Sequence, residues 1–471
     1  MSTVRERPKP HLLPQYCKAC GRCIESCPKH CISLGTEINP ATGLIPVSLD
    51  LDLCNGCGLC ISACPEPYGL RTQPGADFVL EDPKALFGPR RAAPEAAPSI
   101  PDEHLPLPLV QPLVVKGNYA SAIGALIAGC RHFYGYPITP STEGAELMAR
   151  LLPRLQGVFM QAVSETAAVN MMYGCGGAGL RSMTFTSSPG FSLMLEGISY
   201  MIGAGLPGVF VNVMRGGPGL GGIGPEQSDI KLACRGLGHG NTQALVLAPS
   251  TPQEMLDLTI LAFERSFLYR SPVVILSDGY LGQMTGTVRL PEVLVKPGLP
   301  DWAVYGDRGH RGNLNCSFLL SEPDLEGHNI RLNSKYEAIK AAEQRADLFE
   351  TSDAEVLLVA CNTPGRMAKG AVRDLRAQGI KAGLFRPISL WPFPIDALRP
   401  LLTQVRRIVV VEASNGQLED EMRLAMSHAG VHRPPAIDSV RRFGGILPQQ
   451  KEIVDRVVKG AGITPAREVR A

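Results

Sequence analysis

The sequence predicts an α/β protein with a small cysteine-rich module at its N-terminus, and three observations lead there. From Val114 onward, short apolar runs rich in β-branched residues alternate with longer segments of helical period, the pattern of parallel-sheet architecture. Nine of the 14 cysteines fall between Cys17 and Cys64, while Cys130, Cys175, Cys234, Cys316 and Cys361 are scattered singly, so the metal-binding capacity is concentrated in one place. Between the two regions, seven prolines in residues 89–112 make a semi-rigid extended tether. The 471 residues suit about three domains. The expected division is a module at 1–88, a Pro-rich linker at 89–112, a first α/β domain at 113–285, an irregular connection at 286–350, a smaller α/β domain at 351–462 and a tail at 463–471.

Composition narrows the class. Hydrophobic residues make up 45% and charged residues 19%, enough for buried cores and no case for global disorder. Lys and Arg number 46 against 44 Asp and Glu, which gives neither a nucleic-acid footprint nor a polybasic membrane anchor. The most apolar long window, residues 198–214, is broken by Gly203, Gly205, Pro207, Gly208 and Asn212 and falls short of the ~20 residues a membrane span needs. The first fifteen residues lack an apolar signal core, so the expected compartment is the cytoplasm, where cysteines serve metals or catalysis rather than disulfides.

The module contains a repeat at an offset of 37 residues: Cys17-Lys-Ala-Cys20-Gly-Arg-Cys23-Ile-Glu-Ser-Cys27-Pro28 and Cys54-Asn-Gly-Cys57-Gly-Leu-Cys60-Ile-Ser-Ala-Cys64-Pro65. Each is a C-x2-C-x2-C-x3-C-P run. Three thiolates three residues apart along a turn can reach three irons of one cubane, while the fourth, before proline, points to a neighbouring cluster. Structural zinc would use paired C-x2-C knuckles and gives no reason for a doubled three-plus-one pattern. The runs resemble two-cluster bacterial ferredoxins, and the resemblance implies two 4Fe-4S clusters, one held by Cys17, Cys20, Cys23 and Cys64 and the other by Cys54, Cys57, Cys60 and Cys27. Glycines 21, 56 and 58 leave backbone N–H groups free for cluster sulfurs. Cys31 stands outside the pattern and is expected as a buried small apolar residue. Residues 29–53 read as a short hairpin around Asn39-Pro-Ala-Thr-Gly43. Residues 1–64 carry six Lys or Arg against five Asp or Glu, a balance that suits a module kept with its own enzyme better than a freely diffusing ferredoxin.

In the first α/β set, strands are expected at 158–163, 182–186, 208–214, 244–248 and 272–277, with helices at 119–130, 165–173, 191–202 and 252–264. The second set alternates strand 355–360, helix 366–377, strand 381–384, helix 395–402, strand 407–412 and helix 418–428. Weak periodicity and many polar residues make 286–350 an irregular connection wrapping back over the first domain. Polar residues gather where the first strands end: Thr139, Glu165, Ser187, Ser188 and Arg215. Ligands bind at the carboxyl ends of strands in open α/β sheets, so these residues predict one site.

These residues sit in stretches that resemble the α subunit of the thiamine diphosphate-dependent 2-oxoacid:ferredoxin oxidoreductases. The stretches are Lys116-Gly-Asn-Tyr-Ala-Ser-Ala, Gly135-Tyr-Pro-Ile-Thr-Pro-Ser-Thr-Glu, Ser164-Glu-Thr-Ala-Ala, Thr186-Ser-Ser-Pro-Gly-Phe-Ser, Val211-Asn-Val-Met-Arg-Gly-Gly-Pro and Val410-Val-Glu-Ala-Ser-Asn-Gly-Gln-Leu. The resemblance implies a pyrimidine-binding thiamine-type domain at 113–285, a transketolase C-terminal-like domain at 351–462, and a fused ferredoxin that is a separate small subunit in many relatives. It implies that Glu165 accepts a hydrogen bond from the aminopyrimidine of thiamine diphosphate, that Arg215 clamps the substrate carboxylate, and that Thr139 donates a hydroxyl to substrate. Ser187 and Ser188 are cofactor-binding candidates, with capping of the following helix as the alternative. For Glu165 the structural alternative is a carboxylate facing a helix dipole. His239 and Asp278 are suggestive positions for which core or turn roles are favoured.

The Gly-Asp-Gly motif that holds Mg2+ and the diphosphate is missing, since Ser277-Asp-Gly-Tyr280 lacks its first glycine. The resemblance therefore implies a β subunit supplying diphosphate, Mg2+ and a further 4Fe-4S cluster, and a γ subunit. The implied reaction is CoA-dependent oxidative decarboxylation of a 2-oxoacid to acyl-CoA and CO2, with electrons passing singly through the clusters to ferredoxin. Arg215-Gly-Gly-Pro-Gly-Leu-Gly-Gly-Ile-Gly224 has glycine and aliphatic residues where 2-oxoglutarate relatives carry hydroxyls, which favours a branched-chain or aryl 2-oxoacid. Pro140-Ser-Thr-Glu143 resembles the 2-oxoglutarate type, so 2-oxoglutarate and pyruvate stay as alternatives. Tyr119 departs from the family's usual Glu. A reading of another class makes the chain a non-catalytic scaffold carrying an electron-adaptor ferredoxin.

Overall fold

A computed structural model describes residues 9–40, 42–66, 68–72 and 97–460. The chain divides into two compact units, residues 1–93 and 94–471.

In the first unit, the strands Ile32–Leu34 and Val47–Leu49 pair antiparallel, as the hairpin reading expects, and His11–Leu12 pairs antiparallel with Leu70–Arg71. Two short helices, Arg22–Glu25 and Leu59–Ala63, begin inside the two cysteine runs. Each is entered through a glycine in the left-handed region, Gly21 at φ 75° and Gly58 at φ 81°, a conformation that a side chain would strain. The small core is made of Cys23, Cys27, Cys31, Ile32, Val47, Cys60 and Leu70, so the cysteines are themselves the interior.

The second unit is built on two sheets. In the larger one the strand order is Ser389–Trp391, Leu245–Leu247, Pro272–Asp278, Gly208–Met214, Ser182–Thr186, His132–Gly135, Val158–Gln161. All pairs are parallel except the first, where Ser389–Trp391 runs antiparallel to Leu245–Leu247. Every residue of Gly208–Met214 and of Pro272–Asp278 is buried, which is why these central strands read as continuous apolar runs. The smaller sheet has the order Ala346–Phe349, Ala382–Pro387, Val356–Val359, Arg407–Glu412, Ala436–Arg441, antiparallel only at its first pair. One hydrophobic core runs from Met172 of the helix Glu165–Gly177 and Phe210 of the larger sheet to Leu357 and Ile408 of the smaller, joining the two layers.

The structure corrects two expectations. Residues 286–350 are not an irregular connection: Thr285–Val288 pairs with Leu113–Lys116, Val293–Lys296 pairs with Glu103–Pro106, and Glu322–Ala342 is a helix of 21 residues. That helix buries only Leu332, Tyr336 and Ile339, so its apolar stripe is too thin to stand out from its polar residues. The Pro-rich linker also docks on the second unit from residue 97 onward. Glu103–Pro106 forms an edge ribbon, and Asp102 makes an ion pair with Arg181; the extended backbone that prolines favour suits an edge strand as well as a free tether. Residues 89–96 lie outside the described residues. Among the described residues, no helix is long and apolar enough to cross a membrane.

Candidate active site and cluster cavities

The two cysteine runs surround two small cavities. One is lined by Cys17, Cys20, Cys23 and Cys64 with Leu12, Val47 and Leu70. The other is lined by Cys27, Cys54, Cys57 and Cys60 with Ile32 and Leu49. Cys27 and Cys64, each just past the end of its short helix, line the cavity of the opposite run. Val47 N–H donates to Cys17 Sγ at 3.5 Å, and Gly56 N–H donates to Cys54 Sγ at 3.4 Å. Among the described residues, no three His, Cys, Asp or Glu side chains stand close enough to hold a single ion. Sulfurs spread around a cavity suit a polynuclear cluster instead. Burial pushes the Cys23 thiol up to about 11, so a thiolate there needs a cation beside it. Cys31 is buried as expected but is more than packing: it lines the second cavity, with its Sγ 3.3 Å from Cys27 Sγ.

The other candidates meet at the carboxyl edge of the larger sheet. Parallel neighbours end on the same side, so the turns after His132–Gly135, Ser182–Thr186 and Gly208–Met214 carry Thr139, Ser187 with Ser188, and Arg215 to one place. Glu165 opens the helix Glu165–Gly177, whose N-cap Ser164 accepts a hydrogen bond from Ala167 N–H at 3.2 Å. Arg215 is 7% exposed. Its Nη1 donates to the Thr139 carbonyl at 2.8 Å and its Nη2 to the Leu220 carbonyl at 3.2 Å, while Nε is buried without a partner. Ser188 Oγ accepts from Arg215 N–H at 3.1 Å and lies 3.2 Å from Ser228 Oγ, which donates to the Arg215 carbonyl at 2.9 Å. Asp229 and Asn212, joined at 2.9 Å, back this network, and burial raises the Asp229 carboxyl above its ordinary range.

Glu165 is 4% exposed, and no described residue hydrogen-bonds its carboxylate. It faces Gly190 so closely that a Cβ there would lie 2.3 Å from Glu165 Oε1 and 2.4 Å from Thr186 Oγ1. The hydroxyls of Thr186 and Ser187 are also buried and unpartnered. Buried polar groups are normally satisfied. A carboxylate, two hydroxyls and a guanidinium nitrogen left without partners along one strand edge fit a polar heteroaromatic ligand with hydrogen-bonding ring substituents.

Thr139 lies in the turn after His132–Gly135. It is exposed, joined to Pro140 by a cis peptide bond, and its carbonyl rather than its hydroxyl meets Arg215. Neither Ser187 nor Ser188 caps the following helix through its side chain. Asp278 is fully buried: it accepts from Leu281 N–H at 2.9 Å and from Thr363 N–H and Oγ1 at 2.9 and 2.8 Å, joining the two sheets rather than facing the site. His239 is exposed, with its carbonyl accepting from Ser199.

Sequence reasoning gave no role to several bracing residues. Asn118 Nδ2 donates to the Pro140 carbonyl at 2.8 Å, and Lys116 Nζ reaches Glu143 at 3.3 Å, so the Lys116-Gly-Asn118 stretch holds the turn that carries Thr139. Gln227 exchanges hydrogen bonds with Ala413, its N–H donating at 2.7 Å and its Oε1 accepting at 2.8 Å, and Glu226 Oε2 accepts from Gly444 N–H at 2.9 Å. The loop after Arg215 is thereby fastened to the smaller sheet. Lys116, Asn118 and Glu143 lie in the motif stretches, whereas Glu226 and Gln227 carry no signal in the sequence.

Comparison with known proteins gives the following. Residues 123–348 match the thiamine diphosphate-binding domain of pyruvate flavodoxin/ferredoxin oxidoreductase, 354–453 match pyruvate:ferredoxin oxidoreductase core domain II, and 16–67 match the 4Fe-4S dicluster domain. The chain is 46% identical over 351 residues to the ketoisovalerate oxidoreductase subunit VorB of Methanothermobacter thermautotrophicus, covering 74% of this chain and 98% of that protein. It is 35% identical over 372 residues to the 2-oxoglutarate synthase subunit KorA of Methanocaldococcus jannaschii, covering 74% and 99%. Among solved structures, the 2-oxoglutarate:ferredoxin oxidoreductase from Magnetococcus marinus, with 2-oxoglutarate, coenzyme A and succinyl-CoA bound, superposes with a TM-score of 0.67 at 25% identity, over 74% of this chain and 65% of that one.

Proposed function

The chain belongs to the thiamine diphosphate-dependent 2-oxoacid:ferredoxin oxidoreductases, and from that premise we propose that it is the α subunit, with fused ferredoxin, of an enzyme converting a branched-chain or aryl 2-oxoacid and CoA to acyl-CoA and CO2. The observation that carries the reading is the unpartnered set of Thr186, Ser187 and Arg215 Nε beside the buried Glu165. Thiamine diphosphate, when bound, supplies a nucleophilic carbon and an electron sink for decarboxylation. Glu165 holds the aminopyrimidine edge by accepting its proton in a hydrogen bond, and its burial keeps water from competing. Arg215, braced by the Thr139 and Leu220 carbonyls, turns its remaining N–H groups to the substrate carboxylate. Thr139 positions Arg215 through its carbonyl and presents its free hydroxyl to the substrate. Ser188 anchors the backbone of Arg215.

Cys17, Cys20, Cys23 and Cys64 would hold one 4Fe-4S cluster and Cys54, Cys57, Cys60 and Cys27 the other, and the pair would supply one-electron carriers between the thiamine site and ferredoxin. A β subunit brings the diphosphate and Mg2+ site with its own 4Fe-4S cluster, and a γ subunit completes the assembly; the relatives' description as subunits supports this. The low-potential thiolate chemistry suits the cytoplasm. A 2-oxoisovalerate-type substrate is supported by the VorB relative and by Leu220 and Ile223, 81% and 65% exposed in the loop after Arg215, where hydroxyls would be needed for a second carboxylate. The KorA relatives support 2-oxoglutarate as the second reading.

The assembled enzyme should reduce viologen in a CoA-dependent manner, assayed side by side with 2-oxoisovalerate, phenylglyoxylate, pyruvate and 2-oxoglutarate. Turnover led by 2-oxoisovalerate or phenylglyoxylate agrees with the proposal. A lead for 2-oxoglutarate overturns the apolar assignment of the Arg215 loop. No turnover with clusters intact leaves the scaffold reading in its place.

A further inference from the structure

The two cluster cavities are related by an internal repeat, yet they are chemically unequal at one position. At the 37-residue offset Cys31 corresponds to Tyr68, so a fifth sulfur exists in one half of the module only. Cys31 is buried and lines the cavity of Cys27, Cys54, Cys57 and Cys60. Its Sγ stands 3.3 Å from Cys27 Sγ. A pair of thiols could donate in either direction. Once Cys27 is bound to iron its sulfur has no proton and can only accept, so the donor must be Cys31.

Backbone donors do not offset the difference. Val47 N–H donates to Cys17 in one cavity and Gly56 N–H to Cys54 in the other, and Cys27 further accepts from the backbone N–H groups of Cys31, Lys29 and His30, on the same side as the extra thiol. The Cys31 S–H is therefore an additional donor on one side. A hydrogen bond to a ligand sulfur draws off negative charge, and reduction adds negative charge to the cluster. The donor favours the reduced form.

We propose that Cys31 is a positioning residue that raises the midpoint potential of the cluster held by Cys27, Cys54, Cys57 and Cys60 above that of its partner, by donating its thiol proton to the Cys27 sulfur. The inference rests on the cluster assignment made under the proposed function. The consequence is directional: with otherwise matched ligand sets, an electron shared between the two clusters resides on the one beside Cys31. No bond is made or broken, and the thiol proton stays on Cys31.

The test is a redox titration of the full-length chain followed by electron paramagnetic resonance, with iron and sulfide analysis on the same samples. Wild-type, Cys31→Ala and Cys31→Ser chains are compared. Iron and sulfide for two cubanes in the wild type support the cluster assignment, and their absence would overturn that assignment before any potential is compared. Cys31→Ala should retain full iron and lower the midpoint of one cluster alone, by up to about tenfold in its reduction equilibrium, ~59 mV for one electron. Cys31→Ser, which keeps a donor, should recover most of that shift. Unchanged potentials, equal shifts in both clusters, or a serine variant indistinguishable from alanine would overturn the tuning role. Loss of half the iron in both variants would also overturn it, by making Cys31 a ligand.

Discussion

The closeness of Gly190 to Glu165 gives the sharpest prediction. In Gly190→Ala the added methyl would stand 2.3 Å from Glu165 Oε1 and 2.4 Å from Thr186 Oγ1, where ordinary contact begins near 3.4 Å. The neighbouring backbone belongs to the buried strand Ser182–Thr186 and the helix Ser188–Ala204, so the carboxylate must move by about 1 Å. Overpacking costs roughly 1–3 kcal/mol, and replacing a helical glycine returns roughly 0.5–1 kcal/mol, so the fold should lose about 1–2 kcal/mol and survive. Function should suffer more, since a misplacement of about 1 Å at a reacting centre costs on the order of 10²-fold. The assay is CoA-dependent viologen reduction by the assembled enzyme, with thermal midpoints on the same preparations. Glu165→Gln measures the full contribution of the carboxylate, expected at roughly 10²–10⁴-fold. If Gly190 acts through Glu165, adding Gly190→Ala to Glu165→Gln costs little further. Full activity in Gly190→Ala, or losses that multiply in the double variant, would refute the reasoning.

Other outcomes follow from the same geometry. Arg215→Lys keeps the charge but cannot serve the Thr139 and Leu220 carbonyls while presenting a fork to a carboxylate, so kcat/KM for the 2-oxoacid should fall about 10–100-fold, read by steady-state kinetics at saturating CoA. Cys20→Ala and Cys64→Ala should each halve the iron and leave the same residual paramagnetic spectrum, with Cys54→Ala and Cys27→Ala sharing the other one; any other pairing contradicts the crossed assignment. Burial raises the Asp278 carboxyl above its unfolded value of 3.8, so the folded state binds the extra proton and stability declines as pH rises through the raised value. Asp278→Asn removes that dependence, so the wild-type thermal midpoint should gain on the variant as pH falls from neutral toward about 5. A gap that stays constant across that range would show that Asp278 does not titrate there.

Much of this was legible in the sequence because it rests on local chemistry. The doubled cysteine spacing announces its own ligand set, and the short apolar runs at 182–186 and 208–214 are strands because central parallel strands are buried on both faces. Residues whose signal depends on partners far along the chain were not legible. Ser389–Trp391 is three residues long and becomes a strand only by pairing antiparallel with Leu245–Leu247 in the other layer's sheet. The helix Glu322–Ala342 shows so thin an apolar stripe that its three buried positions pass for noise. Asn118 and Gln227 are polar residues like any others until the fold places them against Pro140 and Ala413.

The sequence alone determined the ingredients: two ferredoxin-type cysteine runs, an alternating α/β chain, and the five polar residues at strand ends. Only the tertiary structure decided how they serve. It set Cys31 beside a ligand sulfur, and it left the Arg215 Nε and the Thr186 and Ser187 hydroxyls buried without partners. The physical reason is that the spacing of residues along a strand or turn fixes direction and period. Which buried donors and acceptors remain unsatisfied depends on every segment that packs against them, and that is a property of the whole fold.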